Sequence, residues 1–297
     1  MADYTTLEFA DASVIVRSTG RELARLEKLK GGVANSSTLA ECTDGTRVVI
    51  TVLDNHSWDS ATSLCELTDF LIGAGIVTPP FLKFADSREL WDLHGRPVVV
   101  RPFLSGDQPM HLSAAQATRV GAALAGLHRV SPSPSMGLPS RRLPDDWRER
   151  LGVHAPHTLV SLLASASEEL ASLGGLPVQL IHGDLFPDNM IWTSDGVLHL
   201  LDWETASSDW GVLDLGFTIV GLSGDAPIDR TLTDAIVAGY EAAGGARPSA
   251  RELAVACQYA CMVLMYHRYI RHVIRYPDPS RTEHWKRLIP FVESVVH

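Results

Sequence analysis

The sequence predicts an α+β chain, with a small β-rich N-terminal part followed by a larger, mostly helical part. Three observations carry that prediction. Residues 21–53 read as strands joined by turns. Capped amphipathic helices dominate from residue 112 onward. Short apolar runs around a D-G turn interrupt them between residues 178 and 203. The 297 residues, 45% hydrophobic, suffice for a real core.

The elements follow in order. Gly31-Gly32-Val33-Ala34-Asn35-Ser36-Ser37-Thr38 reads as a glycine turn and polar loop entering a strand. Asp44-Gly45 is a hairpin turn, and Arg47–Leu53 is the next strand. Backbone N–H groups of such a Gly- and hydroxyl-rich hairpin can lie over phosphates, which makes Gly32, Asn35, Ser36 and Ser37 candidate nucleotide contacts. Ser57 to Ser60 starts a helix that carries Glu66 and ends at Gly73-Ala74-Gly75. Pro97–Leu104 is a strand running into Ser105-Gly106-Asp107, the place for a hinge between residues 1–104 and 105–297. Main-chain groups there, at Arg101 and Phe103, suit an adenine edge. Helices are expected over 112–130, from 147, over 159–173, 229–244 and 250–275.

The chemistry concentrates in one stretch. His182-Gly183-Asp184 and, five residues after Asp184, Asn189 are followed by an apolar run ending in Asp202-Trp203-Glu204. That is the order of parts in a phosphoryl-transfer loop: one carboxylate to take a hydroxyl proton, then an amide and a second carboxylate for Mg²⁺. A two-residue loop at Asp195-Gly196 puts Asn189 opposite Asp202, and two facing oxygens suit a cation that keeps several waters.

These residues resemble the aminoglycoside phosphotransferase and choline kinase group, small-molecule relatives of the protein kinases. Asp209-Trp210-Gly211-Val212-Leu213-Asp214-Leu215 is similar to the group's D-P-x-x-D-L segment, with Trp210 where proline is usual. The resemblance implies a protein-kinase-like two-lobe fold, with a nucleotide-binding β-rich N-lobe and a helical C-lobe holding the acceptor pocket. It also implies Asp184 as catalytic base, Asn189 and Asp202 as metal ligands, and a buried structural role for Asp214. ATP (or GTP) and Mg²⁺ are the expected cofactors, and a small hydroxylated molecule, such as an antibiotic or related metabolite, is the expected acceptor.

One departure stands out. The kinase template places a Lys on the third strand, paired with a helix Glu. Here that position is Thr51, and the candidate Glu is Glu66. Type II homoserine kinases, which the N-terminal segments and Leu185-Phe186-Pro187-Asp188-Asn189 also resemble, tend to lack this Lys, though they more often have Ala at Gly183. A homoserine kinase-like activity is therefore the alternative. A non-catalytic nucleotide-binding pseudokinase, favoured by Thr51 alone, is the alternative of another class. Lys28, Lys30, Lys83 and Arg47 are the candidates for phosphate neutralisation.

Composition excludes other classes. A net charge of −10 without a basic patch argues against nucleic acid. Cys42, Cys65, Cys257 and Cys261 form no C-x-x-C, so no zinc or disulfide framework is expected. The acidic start Met1-Ala2-Asp3 is unlike a signal peptide, and no apolar run is long enough to span a bilayer, so a cytoplasmic location is expected. Nothing in the sequence fixes the oligomeric state.

Overall fold

The strand Arg47–Val52 (β3) is buried on both sides beyond Arg47 rather than alternating, and the computed structural model, which describes residues 5–29 and 35–296, shows why. It lies in the middle of a five-stranded sheet of order β1-β2-β3-β5-β4, with β1 Leu23–Lys28, β2 Ser36–Cys42, β4 Trp91–Leu93 and β5 Arg96–Pro102. All pairings are antiparallel. One face sends Ala40, Val48, Ile50, Val52, Val98 and Val100 into a core shared with Ala12, Ile15 and Val16 of helix α1, Phe9–Ser18. Leu39, Val49 and Val99 are buried on the other face, and helix α2, Trp58–Gly73, packs near β5. Ser57 caps α2, its hydroxyl accepting the Ser60 N–H as the sequence pattern suggests.

Contacts divide the chain into two units, Met1–Asp107 with Ile191–Trp203, and Gln108–Met190 with Glu204–His297. The sequence suggests a single cut at 104/105; by contacts, residues 191–203 group with the sheet. Leu200 donates its N–H to the Val77 carbonyl at 2.9 Å, and Trp203 Nε1 donates to Thr78 Oγ1 at 3.0 Å. Strand β6, Gly106–Asp107, pairs with β8, Met190–Thr193, which neighbours β9, Leu198–Leu200.

The other unit is mostly helical: α3 Ala114–His128, α4 Trp147–Leu151, α5 His157–Ala171, α6 Gly211–Ser223, α7 Arg230–Ala242, α8 Ala250–Tyr269 and α9 Ile289–Val296. Capping boxes at Ser113/Gln116 and Ser249/Glu252 start α3 and α8. Helices α3 and α7 cross at glycines. A Cβ on Gly121 would stand 1.9 Å from the Ile236 carbonyl oxygen, and one on Gly239 would stand 1.9 Å from that of Thr118. Strand β7, Val178–Ile181, pairs with β10, Ser207–Trp210, from Ser207 opposite Ile181 to Trp210 opposite Val178.

Three helices lie outside the sequence prediction. Helix α1 has no side-chain cap and buries only three residues, a weak periodic signal. Helix α6 is buried nearly all round and begins at glycine, so it shows no amphipathic stripe. Helix α9 is eight residues of mostly apolar chain. The long helix expected to reach residue 275 ends at Tyr269 and continues as a wider π-type turn over Ile270–Arg275.

Candidate active site

In the helical unit the motif forms a tight loop after β7. Asp214, at the start of α6, is fully buried. Its Oδ2 accepts the His182 N–H at 2.8 Å and its Oδ1 the Gly183 N–H at 2.7 Å. His128, at the end of α3, meets Oδ2 through Nε2 at 3.1 Å, and its Nδ1 lies 2.8 Å from the Tyr240 hydroxyl. An ionised carboxylate only accepts, so Nε2 carries a proton. Burial pushes the Asp214 pKa up, but the His128 and His182 imidazoles and the Gly183 N–H outweigh it and hold it below the usual carboxylate range. Burial and the Asp214 charge push the Tyr240 hydroxyl up to about 12.

This network sets the backbone from which Asp184 projects, half-exposed. Asn189 is buried and turns its amide back on the loop. Its Nδ2 donates to the Asp184 carbonyl at 2.8 Å and lies 3.3 Å from Asp184 Oδ2. With Nδ2 so used, Oδ1 is the amide's remaining polar atom, an oxygen. The 3-10 turn Pro187–Asn189 holds this geometry. Asp188 is exposed, and its carbonyl accepts from Gln108 Nε2 at 2.9 Å.

Neighbouring Asp209 is also buried. Arg142 grips it with Nε and Nη2, at 3.0 and 2.8 Å from Oδ1, Ser140 donates to Oδ2 at 2.6 Å, and the Arg142 fork lies 4.2 Å over the Trp210 ring. Tyr259 is buried with its hydroxyl accepting the Leu143 N–H at 2.9 Å.

In the sheet unit Asp202 is exposed between buried Leu201 and Trp203, with φ +61. Left-handed backbone at a non-glycine residue is uncommon and gathers at functional positions. The hairpin before it differs from expectation. Gly196 N–H closes a turn onto Thr193 O at 2.7 Å and Thr193 N–H bonds Val197 O at 3.0 Å, so the loop has three residues, with Gly196 left-handed at φ +79. The register moves by one residue, and β9 ends at Leu200, before Asp202.

The expected nucleotide contacts fare unevenly. Gly32 and Lys30 lie outside the described residues. Asn35 stands half-buried at the entry to β2. Ser36 is buried and donates to Asp54 Oδ2 at 2.5 Å, so its hydroxyl serves the sheet. Ser37 and Thr51 lie opposite one another, their hydroxyls 3.0 Å apart. Arg47, Val49 and Thr51 alternate onto one strand face, and of these Thr51 and Val49 are buried and only Arg47 is exposed. Glu66 is exposed, off the α2 face formed by Ala61, Leu64, Leu67 and Leu71, and not aimed into the packing as a partner for the third strand would be. Arg101 pairs with Val49 in the sheet. Phe103 spends its N–H on the Arg47 carbonyl at 3.0 Å, which removes it as a donor to an adenine edge, and its ring lies under the Arg47 guanidinium at 4.3 Å. Lys83 stands 3.8 Å from Glu89.

A model of the phosphotransferase enzyme family matches residues 25–253. The chain belongs to that family. It is a small-molecule kinase with the mixed α/β, protein-kinase-like fold. A homoserine kinase of Pseudomonas aeruginosa (strain UCBPP-PA14) is 29% identical over 233 residues, 74% of this chain and 73% of the relative. One from Methylobacterium nodulans is 26% identical over 284 residues, 91% and 88% of the two chains. Among solved structures, a spectinomycin phosphotransferase in complex with ADP and spectinomycin is 14% identical, covers 98% of both chains and superposes with a TM-score of 0.73. Among the described residues no helix is long and apolar enough to cross a membrane.

Sequence reasoning missed the partners that hold the loop. His128 and Tyr240 lie 112 residues apart, and no local spacing joins them. Arg141 and Arg142 are adjacent in a polar loop, where no motif singles them out.

Proposed function

We propose that this kinase transfers the γ-phosphoryl group of ATP (or GTP) to a hydroxyl of a small acceptor, with Asp184 orienting that hydroxyl and taking its proton. The grip of Asn189 on Asp184 carries the reading. It fixes the carboxylate bearing on the nucleophile and leaves the amide oxygen for a metal, which is the division of labour phosphoryl transfer asks for.

The donors offered to a metal are hard oxygens, the Asn189 amide and the Asp202 carboxylate, and they fit Mg²⁺. When bound, Mg²⁺ neutralises and orients phosphate oxygens. In the sheet unit the hairpin from Asn35 to Ser37, the β3 position of Thr51 and the strand end at Arg101–Phe103 form the proposed nucleotide side, with Gly32 retained from the sequence. Glu66 has no support as an ion-pair partner. The division of labour is a nucleotide-binding unit at 1–104 and an acceptor-binding unit at 105–297. A cytoplasmic location, where ATP and Mg²⁺ are available, goes with this reading.

Two acceptor classes remain. The homoserine kinase relatives favour a hydroxy amino acid. Gly183, where homoserine kinases more often carry Ala, favours an antibiotic or related metabolite and a part in antibiotic resistance. The test is phosphate transfer from ATP, with and without Mg²⁺, to a panel of homoserine, choline, aminoglycosides, spectinomycin and sugars. Mg²⁺-dependent transfer lost in Asp184→Ala supports the reading; nucleotide binding without turnover on any acceptor would support a pseudokinase instead.

A further inference from the structure

Arg141, in the segment between α3 and α4, reaches the catalytic loop. Its Nε–H donates to the Gly183 carbonyl at 3.0 Å, Nη1 lies 3.2 Å from His267 Nε2, and the guanidinium carbon sits 4.8 Å over the Phe217 ring. These contacts fix the plane of the fork. A guanidinium has five N–H donors, and two are spent. Among the described residues no other hydrogen bond engages it.

The surroundings are unusual for an arginine with donors to spare. Burial pulls its pKa down, while Asp184 first, then Asp214 and Tyr259, act the other way. Asp214 is already committed to His128 and two backbone N–H groups. His267 is exposed, and because a guanidinium only donates, its Nε2 accepts from the fork and the ring proton sits on Nδ1. Arg141 as a whole is half-buried. A desolvated cation with unused donors is costly until an anion completes it.

Gly183 belongs to the same arrangement. A Cβ there would fall 3.0 Å from Arg141 Cδ and 2.9 Å from the Thr205 carbonyl oxygen, at a φ of +76. The arginine stem occupies the space that glycine leaves.

We infer that Arg141, held by Gly183, His267 and Phe217, binds the carboxylate of the acceptor, so that the kinase acts on small hydroxy acids, hydroxy amino acids included. The inference rests on the reading of Asp184 as the hydroxyl-facing base, because that places a hydroxyl and an anion-binding fork side by side. A planar fork suits a carboxylate better than a lysine would, and its charge disfavours a cationic acceptor.

The test uses matched acceptors that differ by the carboxylate, such as homoserine and 3-aminopropan-1-ol, or glycerate and ethylene glycol. Binding to the full chain is measured by calorimetry without nucleotide, and transfer is measured with ATP and Mg²⁺. The wild-type protein is expected to favour the carboxylated member of at least one pair by about 30-fold or more in binding and in kcat/KM. Arg141→Gln should erase that ratio, Arg141→Lys should keep part of it, and the KM for ATP should move by less than about 3-fold in both. Far-ultraviolet circular dichroism and Tm confirm that each variant folds. No carboxylate preference in the wild-type protein overturns the inference. So does an equal fall on both members of a pair in Arg141→Gln, which would assign the fork to the phosphoryl group or to loop geometry. Arg141-dependent carboxylate binding without any phosphate transfer would leave the inference standing and sink the proposed kinase chemistry.

Discussion

Asp54 in the sheet unit and Asp214 in the helical unit are both enclosed carboxylates, and the chain satisfies them in different ways. Asp54 lies just after β3, where Ser36 and Thr5 donate hydroxyls at 2.5 Å each and Arg96 donates Nη1 at 2.6 Å. These three donors are side chains, with the Thr5 backbone N–H a lesser addition, and Arg96 remains 42% exposed, so water can replace part of the set. Asp214 is held by two main-chain N–H groups and a buried imidazole, with nothing exposed to spare. Side-chain donors tie an edge together but leave it adjustable. Main-chain donors make the carboxylate part of the backbone geometry of the loop at 182–184, so that loop is expected to tolerate change less than the hairpin side.

The largest effect should come from Asp214→Ala. Removing an acceptor shared by His182, Gly183 and His128 leaves buried donors unpaired and should cost about 3–5 kcal/mol of stability together with activity. Urea unfolding that shows a loss below about 1 kcal/mol would erase the contrast. Asp184→Ala is the counterpart on the same loop. It should lower kcat by about 10²-fold or more while Tm stays nearly constant, because the side chain is half-exposed and its proposed role is on the acceptor. Asp54→Asn is expected to cost only about 1–2 kcal/mol, since exposed Arg96 finds water. Equal costs for the two aspartates would show that the sheet edge is as rigid as the loop.

Acid titration sharpens the comparison. Burial raises the Asp54 pKa, but its Ser36, Thr5 and Arg96 bonds lower it further, and Asp214 is likewise lowered. Both therefore contribute stability that is complete above the unfolded carboxylate pKa of about 4 and is lost as pH falls through the lower folded values. His267 acts in a different window. Its folded pKa of about 4 lies under the ordinary value of 6.5, so the unfolded chain binds the proton first; because the residue is exposed, water screens the effect and the decline in stability from pH 6.5 toward 4 is small. In the variant His267→Gln, chemical unfolding followed from pH 7 to 4.5 should show a flatter decline.

Thr51→Val should have the smallest effect, under about 1 kcal/mol, because it removes one hydroxyl contact to half-buried Ser37. Thr51→Lys, attractive while the position is read as facing phosphates, is instead expected to destabilise, since the side chain is 8% exposed and Glu66 is turned to solvent. Calorimetric ATP binding and Tm on the same protein separate the two outcomes.

Local patterns account for what was legible. The Ser57, Ser113 and Ser249 starts, the strands around Asp44-Gly45 and the order Asp184, Asn189, Asp202 are written in residues close in sequence. The hairpin register was missed by one because Asp195-Gly196 is compatible with a two- or a three-residue loop, with a left-handed Gly196 in either. Helix α6 escaped because full burial removes the polar face that reveals a helix. The burial of Ser36 and Thr51 was hidden because a hydroxyl on a strand reads the same whether it meets a phosphate or a neighbouring side chain. Arg141 was invisible because its partners, Gly183, Phe217 and His267, come from three separate elements.

The closure from Tyr240 through His128 and Asp214 to the loop has a consequence for synthesis. The 112 residues between His128 and Tyr240 take roughly 6–22 s to translate at about 5–20 residues per second. Throughout that interval α3 lacks α7, the helix that its Gly121 is shaped to meet, and the imidazole below the catalytic loop lacks its phenol. A nascent chain of this enzyme should therefore display an unpaired apolar α3 surface for seconds, so a ribosome stalled before residue 240 should present a chaperone substrate and one stalled well beyond it should not.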